Sequence, residues 1–164
     1  MDRTAHSAVA MASTDSSKPK FYCSVFRHGV DVKRRVQVPS KWCPAEPEGE
    51  FTLILWPFGK WNEACLVALP PEQMEALALK LKTMPLSDTK AVSLRRLLGS
   101  KSATVTVDKG GRVCLPEAMA AAVGITNEAV MVGCVDHFEI WNPERHAIVN
   151  EVDAALQNEA FQLI

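Results

Sequence analysis

The chain has 164 residues, 48% of them apolar and 23% charged, and carries a formal net charge of −1. That composition suits a soluble globular chain of one ordinary domain or two very small ones, and it excludes a uniformly basic nucleic-acid binder while leaving room for a local basic patch. Its apolar runs fall short of the ~20 residues a membrane-spanning helix needs. Five scattered cysteines (Cys23, Cys43, Cys65, Cys114 and Cys134) without a C-x-x-C pair argue against a disulfide framework or structural zinc site and for a reducing cytoplasm.

Met1–Lys20 is rich in Ser, Thr and Ala, lacks the apolar core of a secretory signal, and reads as a disordered, mobile tail. Phe21–Phe26 predicts a strand and Arg35–Val38 alternates polar with apolar; His28-Gly29-Val30-Asp31 between them carries turn chemistry, so this region predicts a β-hairpin with a charged tip. Pro39 opens a short helix with Trp42 as its inward anchor. Pro44–Glu50 is a polar loop, and Phe51–Leu55 and Cys65–Leu69 are buried strands. Pro70-Pro71-Glu72 opens a helix whose Met74, Leu77, Ala78 and Leu81 follow helical spacing.

Thr83–Ser87 marks an internal boundary, and a helix follows over Asp88–Leu98. Next come a strand over Ala103–Val107, a turn at Asp108–Gly111 and a strand over Arg112–Leu115. A short helix over Pro116–Val123 is stopped by Gly124. Ala129–Val135 and Phe138–Trp141 are strands joined across Asp136-His137, and Pro143 begins a last helix running to about Leu156.

The second half restates the first. Asp31, Arg35 and Pro39 recur as Asp108, Arg112 and Pro116, each 77 residues on. Leu66–Glu72 matches Phe138–Glu144 at an offset of 72, which places five extra residues in the first copy, in the Pro44–Asn62 region where Pro57-Phe58-Gly59-Lys60 supplies loop signals. The resulting division is a tail over 1–20, a first module over 21–82, a linker with a helix over 83–101, a second module over 102–156 and a tail over 157–164. Either module alone, at roughly 60–75 residues, would bury only a marginal core, so mutual packing or oligomerisation is expected.

The first turn carries Lys33, Arg34 and Arg35 in succession, with Arg27 and Lys41 near its base. Successive strand side chains point to opposite faces, so these three cations cannot all pair with one internal carboxylate. Arginine's fork suits phosphate oxygens and the guanine edge, and a two-stranded ribbon is narrow enough for the major groove. In the second turn Lys109 and Arg112 flank Gly110-Gly111, which can supply positive φ. Asp31 and Asp108 read as turn-structural residues that pair across the turn. His28 is either a turn residue or an added phosphate contact.

No enzyme constellation emerges. His6, His28, His137 and His146 do not recur at metal-ligand spacing beside carboxylates, Ser100 and Ser102 read as linker residues, and Gly110-Gly111 is too short for a phosphate loop. Trp42, Trp56, Trp61 and Trp141 read as core or subunit-contact residues. No catalytic residue, metal or cofactor is expected.

Together these motifs make the chain resemble the MraZ family of bacterial transcriptional regulators. The residues that carry the resemblance are the turns Asp31-Val32-Lys33-Arg34-Arg35 and Asp108-Lys109-Gly110-Gly111-Arg112, each continued by apolar-x-apolar-Pro. To these are added Arg95-Arg96-Leu97-Leu98-Gly99-Ser100, Val130-Met131-Val132-Gly133 and Phe138-Glu139-Ile140-Trp141. The likeness spans about 21–156. Two departures stand out: Arg34 replaces the glycine usual before the first arginine, and the stretch before Phe21 is longer than the family pattern.

The resemblance implies an α+β fold of tandem AbrB-like swapped-hairpin modules forming a pseudo-two-fold β-barrel with flanking helices. It implies a sequence-specific regulator, a repressor, of a cell-division and cell-wall gene cluster that includes its own promoter. Lys33 and Arg35 would contact double-stranded promoter DNA with repeated boxes, Arg34 would add a phosphate contact, and Lys109 and Arg112 would serve in the second module. It further implies a ring-like homo-oligomer, no membrane partner, and a cytoplasmic, nucleoid-associated location. The competing reading is a ring-forming structural or protein-interaction scaffold. Of the two turns, the first is expected to be the principal DNA reader.

Overall fold

The computed structural model describes residues 19–57 and 64–164. Nearly all of the expected tail over 1–20, together with His6, Trp61 and Phe58-Gly59-Lys60, lies outside the described residues. In chain order the elements are β1 (Val25–Gly29), β2 (Arg35–Gln37), a 3-10 turn (Ser40–Trp42), β3 (Glu50–Trp56), β4 (Cys65–Leu69), α1 (Pro71–Lys82) and α2 (Thr89–Ser100). The second half supplies β5 (Ser102–Thr106), β6 (Arg112–Cys114), α3 (Glu117–Ala122), β7 (Glu128–Gly133), β8 (Phe138–Trp141) and α4 (Pro143–Phe161). The fold is α+β, as expected.

The strands form an antiparallel six-stranded sheet in the order β1-β7-β8-β4-β3-β5 and a separate two-stranded ribbon, β2-β6. The closed barrel implied by the resemblance is not found among the described residues: β1 and β5 end the sheet as its two edges. The expected β1–β2 hairpin is likewise reduced to a bridge between Val30 and Val36. Beyond it the chain hands its hydrogen bonds to the other half, with β1 pairing β7 and β2 pairing β6. The first strand also begins later than expected. Ser24 sits at φ 82, which interrupts the extended run, so Tyr22 makes only an isolated bridge to Val135.

The pairings fix the internal symmetry. In the ribbon, Arg35 faces Cys114 and Gln37 faces Arg112, with Val36 opposite Val113; a 77-residue shift exchanges the two outer pairs and leaves the central one in place. Between β4 and β8, Leu66 faces Ile140 and Ala68 faces Phe138, an arrangement that a 72-residue shift maps onto itself about Val67 and Glu139. Val25 pairs with Val132 and Ser102 with Ile54, which makes Val132 the counterpart of Ile54, 78 residues on. The net five-residue insertion therefore resolves into six extra residues between β3 and β4 (78−72) and one fewer between β2 and β3 (78−77).

The main core fills the space between ribbon and sheet. Val36, Val38, Val113 and Leu115 bring the ribbon down onto Leu53, Leu66, Ala68, Met131 and Ile140 of the sheet. Trp42, delivered by the 3-10 turn, is 2% exposed and lies 5.0 Å from the Phe138 ring and 5.2 Å from Phe26. Phe51 packs edge-on to Phe138, also at 5.0 Å. Ring pairs of this kind add about 0.5–1.5 kcal/mol beyond their buried area. The other sheet face buries Cys65, Val67, Val130 and Trp141, with Val149 of α4 against them.

Asp88 caps α2 by accepting from Lys90 N at 2.9 Å, and Asn142 caps α4 by accepting from Glu144 N at 2.8 Å. Gly124, at φ 71, ends α3 as expected. The last helix runs five residues beyond the expected Leu156, to Phe161, so much of the tail read over 157–164 is helical. Because Phe138 joins two ring contacts at 5.0 Å and is 1% exposed, Phe138→Ala should lower unfolding free energy by about 3–5 kcal/mol, measured as a shifted urea midpoint at unchanged slope.

Candidate nucleic-acid interface

Each charged turn is closed by one carboxylate. Asp31 Oδ1 accepts from Lys33 N at 2.9 Å and from Arg35 N at 2.8 Å, while Oδ2 accepts from Arg35 Nε at 2.7 Å. Arg34 N donates to Asp31 O at 2.9 Å, and Asp31 N to Arg35 O at 3.1 Å. The second turn repeats this pattern. Asp108 Oδ1 accepts from Gly110 N and Arg112 N, both at 2.9 Å, and Arg112 Nε lies 3.4 Å from Oδ2. Backbone donation, led by Arg35 N and Arg112 N respectively, holds both carboxyls below the usual 3.8.

The fourth residue of each turn needs a left-handed backbone. Gly111 has φ 78, and Arg34 in the equivalent place has φ 60. For a side-chain-bearing residue that conformation costs roughly 1–2 kcal/mol. Arg34 is tied to the opposite strand at two points: its carbonyl accepts from Leu115 N at 2.8 Å and its Nε donates to Leu115 O at 3.0 Å. The first of these bonds has its symmetry mate in Val38 N to Gly111 O, 2.9 Å; the second has none, since glycine has no side chain.

The cations are disposed unequally. Lys33 is exposed, and its ammonium has no partner among the described residues. Arg35 uses its Nε on Asp31, which orients the guanidinium and leaves the terminal nitrogens as further donors. Arg34 is half-buried at the ribbon edge. Lys109 is exposed and takes the place that Val32, 98% exposed, holds in the first turn. Arg112 pairs with its own aspartate. Arg27 is spoken for by Glu128, with Nη2 donating to Oε2 at 3.0 Å and Nε also in contact, whereas Lys41 is exposed.

The ribbon brings the two turns together. Arg35 lies opposite Cys114 and Arg112 opposite Gln37, so the turns occupy the two ends of a three-pair ribbon, about 10 Å at 3.3–3.4 Å per residue. His28 is not in a turn: it belongs to β1, its ring stacks on Phe26 at 6.3 Å, and its Nε2 is buried without a hydrogen bond.

Two groups escaped the sequence reading. Gln37 donates to both Gly111 O (3.0 Å) and Val38 O (3.1 Å), and only the cross-pairing of β2 and β6 reveals that role. Cys134, His137 and Glu139 bring one sulfur, one ring nitrogen and one carboxylate oxygen within 4.8 Å of one another. The sequence signal for this group is Cys134-x-x-His137-x-Glu139, three donors within six residues across a tight turn.

The fold and its duplicated, carboxylate-braced turns define an α+β protein that presents cations on a shared β-ribbon. A family profile described as "MraZ protein, putative antitoxin-like" matches residues 100–161. The Transcriptional regulator MraZ of Thermomicrobium roseum is 31% identical over 131 residues, covering 79% of this chain and 87% of that protein. Its namesake from Clostridium beijerinckii is 32% identical over 126 residues, 77% of this chain and 84% of the relative. The chain belongs to the MraZ family of transcriptional regulators.

Two outcomes follow from the turn geometry. A Cβ on Gly111 would sit 2.7 Å from Gln37 Nε2 at φ 78, so Gly111→Ala should cost about 1–2 kcal/mol, read by urea unfolding. Since the folded carboxyls are depressed, the stability they confer is complete above the ordinary carboxylate pKa and is lost as pH falls through the lowered value. NMR titration followed at the Lys33 and Gly110 amides should give midpoints below 3.8.

Proposed function

We propose that this chain is a sequence-specific DNA-binding repressor that reads repeated boxes in double-stranded promoter DNA through its two charged turns. The observation that carries this reading is the pair of identically braced turns on one ribbon, the first of which gathers Lys33, Arg34 and Arg35. Three cations with a single carboxylate between them leave a surplus of donors suited to phosphate and to the guanine major-groove edge. Lys33, Arg34 and Arg35 form the principal contact, and Lys109 and Arg112 a weaker one. The modules over 21–82 and 102–156 act as fused swapped hairpins of the AbrB-like kind, an idea supported by the exchange of β1 and β5 between halves.

A single turn with a few cations binds DNA weakly and salt-sensitively. A ring-like homo-oligomer would present many such turns to spaced boxes at high effective concentration, provided the DNA bends to meet them. Self-association is supported by α4, whose Ile148, Val152 and Leu156 are 54%, 51% and 48% exposed at four-residue intervals. By the family resemblance, the target is a cell-division and cell-wall gene cluster including the gene's own promoter, and the working location is the nucleoid in the cytoplasm.

The test is the triple change Lys33→Ala, Arg34→Ala, Arg35→Ala, assayed by fluorescence anisotropy on the DNA upstream of the gene. Binding should be lost, single changes should lower the salt slope by about 0.9 per phosphate contact removed, and sedimentation should give an unchanged oligomer size. Undiminished binding by the triple variant overturns the reading. The apolar row on α4 equally suits a ring-forming scaffold for protein partners, which gains if the wild-type oligomer gives no salt-dependent binding to that DNA.

A further inference from the structure

We propose that the β7–β8 hairpin is a binding site for one borderline divalent cation, Zn2+ by its donor set, held by Cys134, His137 and Glu139. Thiolate sulfur, imidazole nitrogen and carboxylate oxygen are the three ligand types zinc accepts, at about 2.0–2.3 Å each. Their candidate atoms already lie within 4.8 Å of one another on half-buried side chains. Ligands of one tetrahedral ion stand about 3–4 Å apart at those bond lengths, so closing on the ion needs side-chain rotation of roughly an ångström.

The backbone that offers these groups is held on both sides. Cys134 N donates to His137 O at 2.9 Å, closing a tight turn in which Val135 has φ 73. From outside, Tyr22 N donates to Val135 O at 2.8 Å, Val135 N to Tyr22 O at 3.0 Å, and Gly133 N to Ser24 O at 2.9 Å. A Cβ on Gly133 would come within 2.5 Å of Tyr22 O, so this clamp depends on glycine.

The surrounding groups prepare the donors. Asp136 Oδ1 accepts from His137 Nδ1 at 2.7 Å, which leaves the lone pair on Nε2 and fixes the ring, as outer-shell carboxylates do for metal-binding histidines. Trp141 Nε1 donates to Glu139 Oε1 at 3.0 Å and orients that carboxylate. Cys65 of β4 and His146 of α4 face the same group, and Asp153 of α4 adds negative charge; no lysine or arginine forms an ion pair with Glu139 or Asp153 among the described residues. Cation binding displaces the Cys134 thiol proton: Cys134–SH plus M2+ gives Cys134–S–M+ plus H+.

The first copy does not repeat this donor set. The positions equivalent to Cys134, His137 and Glu139 are Trp56, Cys65 and Val67, and the six extra residues fall between the first two. The site is a property of the second copy.

The experiment uses the full chain, reduced and stripped with chelator, titrated with Co2+ and then displaced by Zn2+. One Co2+ per chain should bind with a thiolate-to-cobalt charge-transfer band. Cys134→Ser should abolish the band, His137→Ala and Glu139→Gln should each weaken binding at least tenfold, and Asp136→Asn should weaken it about tenfold. The double variant Cys23→Ser, Cys114→Ser, which removes the exposed thiols, should leave the band intact. In the wild-type chain, Zn2+ should also protect Cys134 from alkylation, read by peptide mass spectrometry, while Cys23 and Cys114 still react. Absence of the band in the wild type, its persistence in Cys134→Ser, or an alkylation rate at Cys134 that Zn2+ does not change overturns the proposal.

Discussion

Asp31 Oδ1 and Asp108 Oδ1 each accept backbone N–H groups from two and four residues ahead, and that pair of bonds sets where the chain reverses in each copy. Past the reversal, the outgoing strand meets its own incoming strand only at the turn and, in the first copy, at Val30 and Val36. The remaining N–H and C=O groups still require partners once buried. They find them in the other copy: β1 on β7, β5 on β3, and β2 on β6. Interlocking of the two halves is thus the consequence of a turn that closes tightly and then lets its strands diverge. Val36 and Val113, at 0% and 1% exposure, show how completely the shared ribbon is sealed against the sheet.

The same constraint explains what the two copies have and lack. A left-handed residue is required where the turn rejoins the strand, and glycine meets that requirement at position 111. Arg34 meets it with a side chain, offset by the Nε bond to Leu115 O. A strained arginine buttressed by the opposite strand is held in place, whereas a freely rotating cation on a glycine-containing turn would lose more rotamer entropy on binding an anion. Gly111 in turn admits Gln37, whose amide bridges two carbonyls in the space a Cβ would fill. One copy exchanged backbone ease for charge, and the other kept the ease.

What could be read directly from the residues was local. The Asp-to-Arg spacing, the Pro that follows, the helix starts near Asp88 and at Pro143 and the strand at Phe138–Trp141 all depend on contacts within a few residues. The reach of α4 to Phe161 was missed because Gln157–Ala160 carries no stop signal and no apolar period to extend. Strand partners were hidden for a different reason: β1 is as compatible with a local hairpin as with β7, and only burial of the ribbon decides between them. The closed barrel failed on the same point, because edges β1 and β5 turn into the ribbon instead of meeting. The candidate cations were all visible, but not that Arg27 is held by Glu128 or that both turns share one ribbon.

The pairing of β1 with β7 also determines what positions the first turn. On its sheet side β1 has one neighbour, β7, and just before β1 the chain is fastened by Tyr22 to Val135 and by Ser24 to Gly133. Those contacts lie on the β7–β8 hairpin, whose two-residue turn is short because the second copy lacks the six extra residues found between β3 and β4. A longer connection there would remove the close approach at Gly133 and loosen the run that leads through Val25–Gly29 to Asp31. The placement of Lys33, Arg34 and Arg35 therefore rests on the hairpin of the other copy as much as on the aspartate beside them.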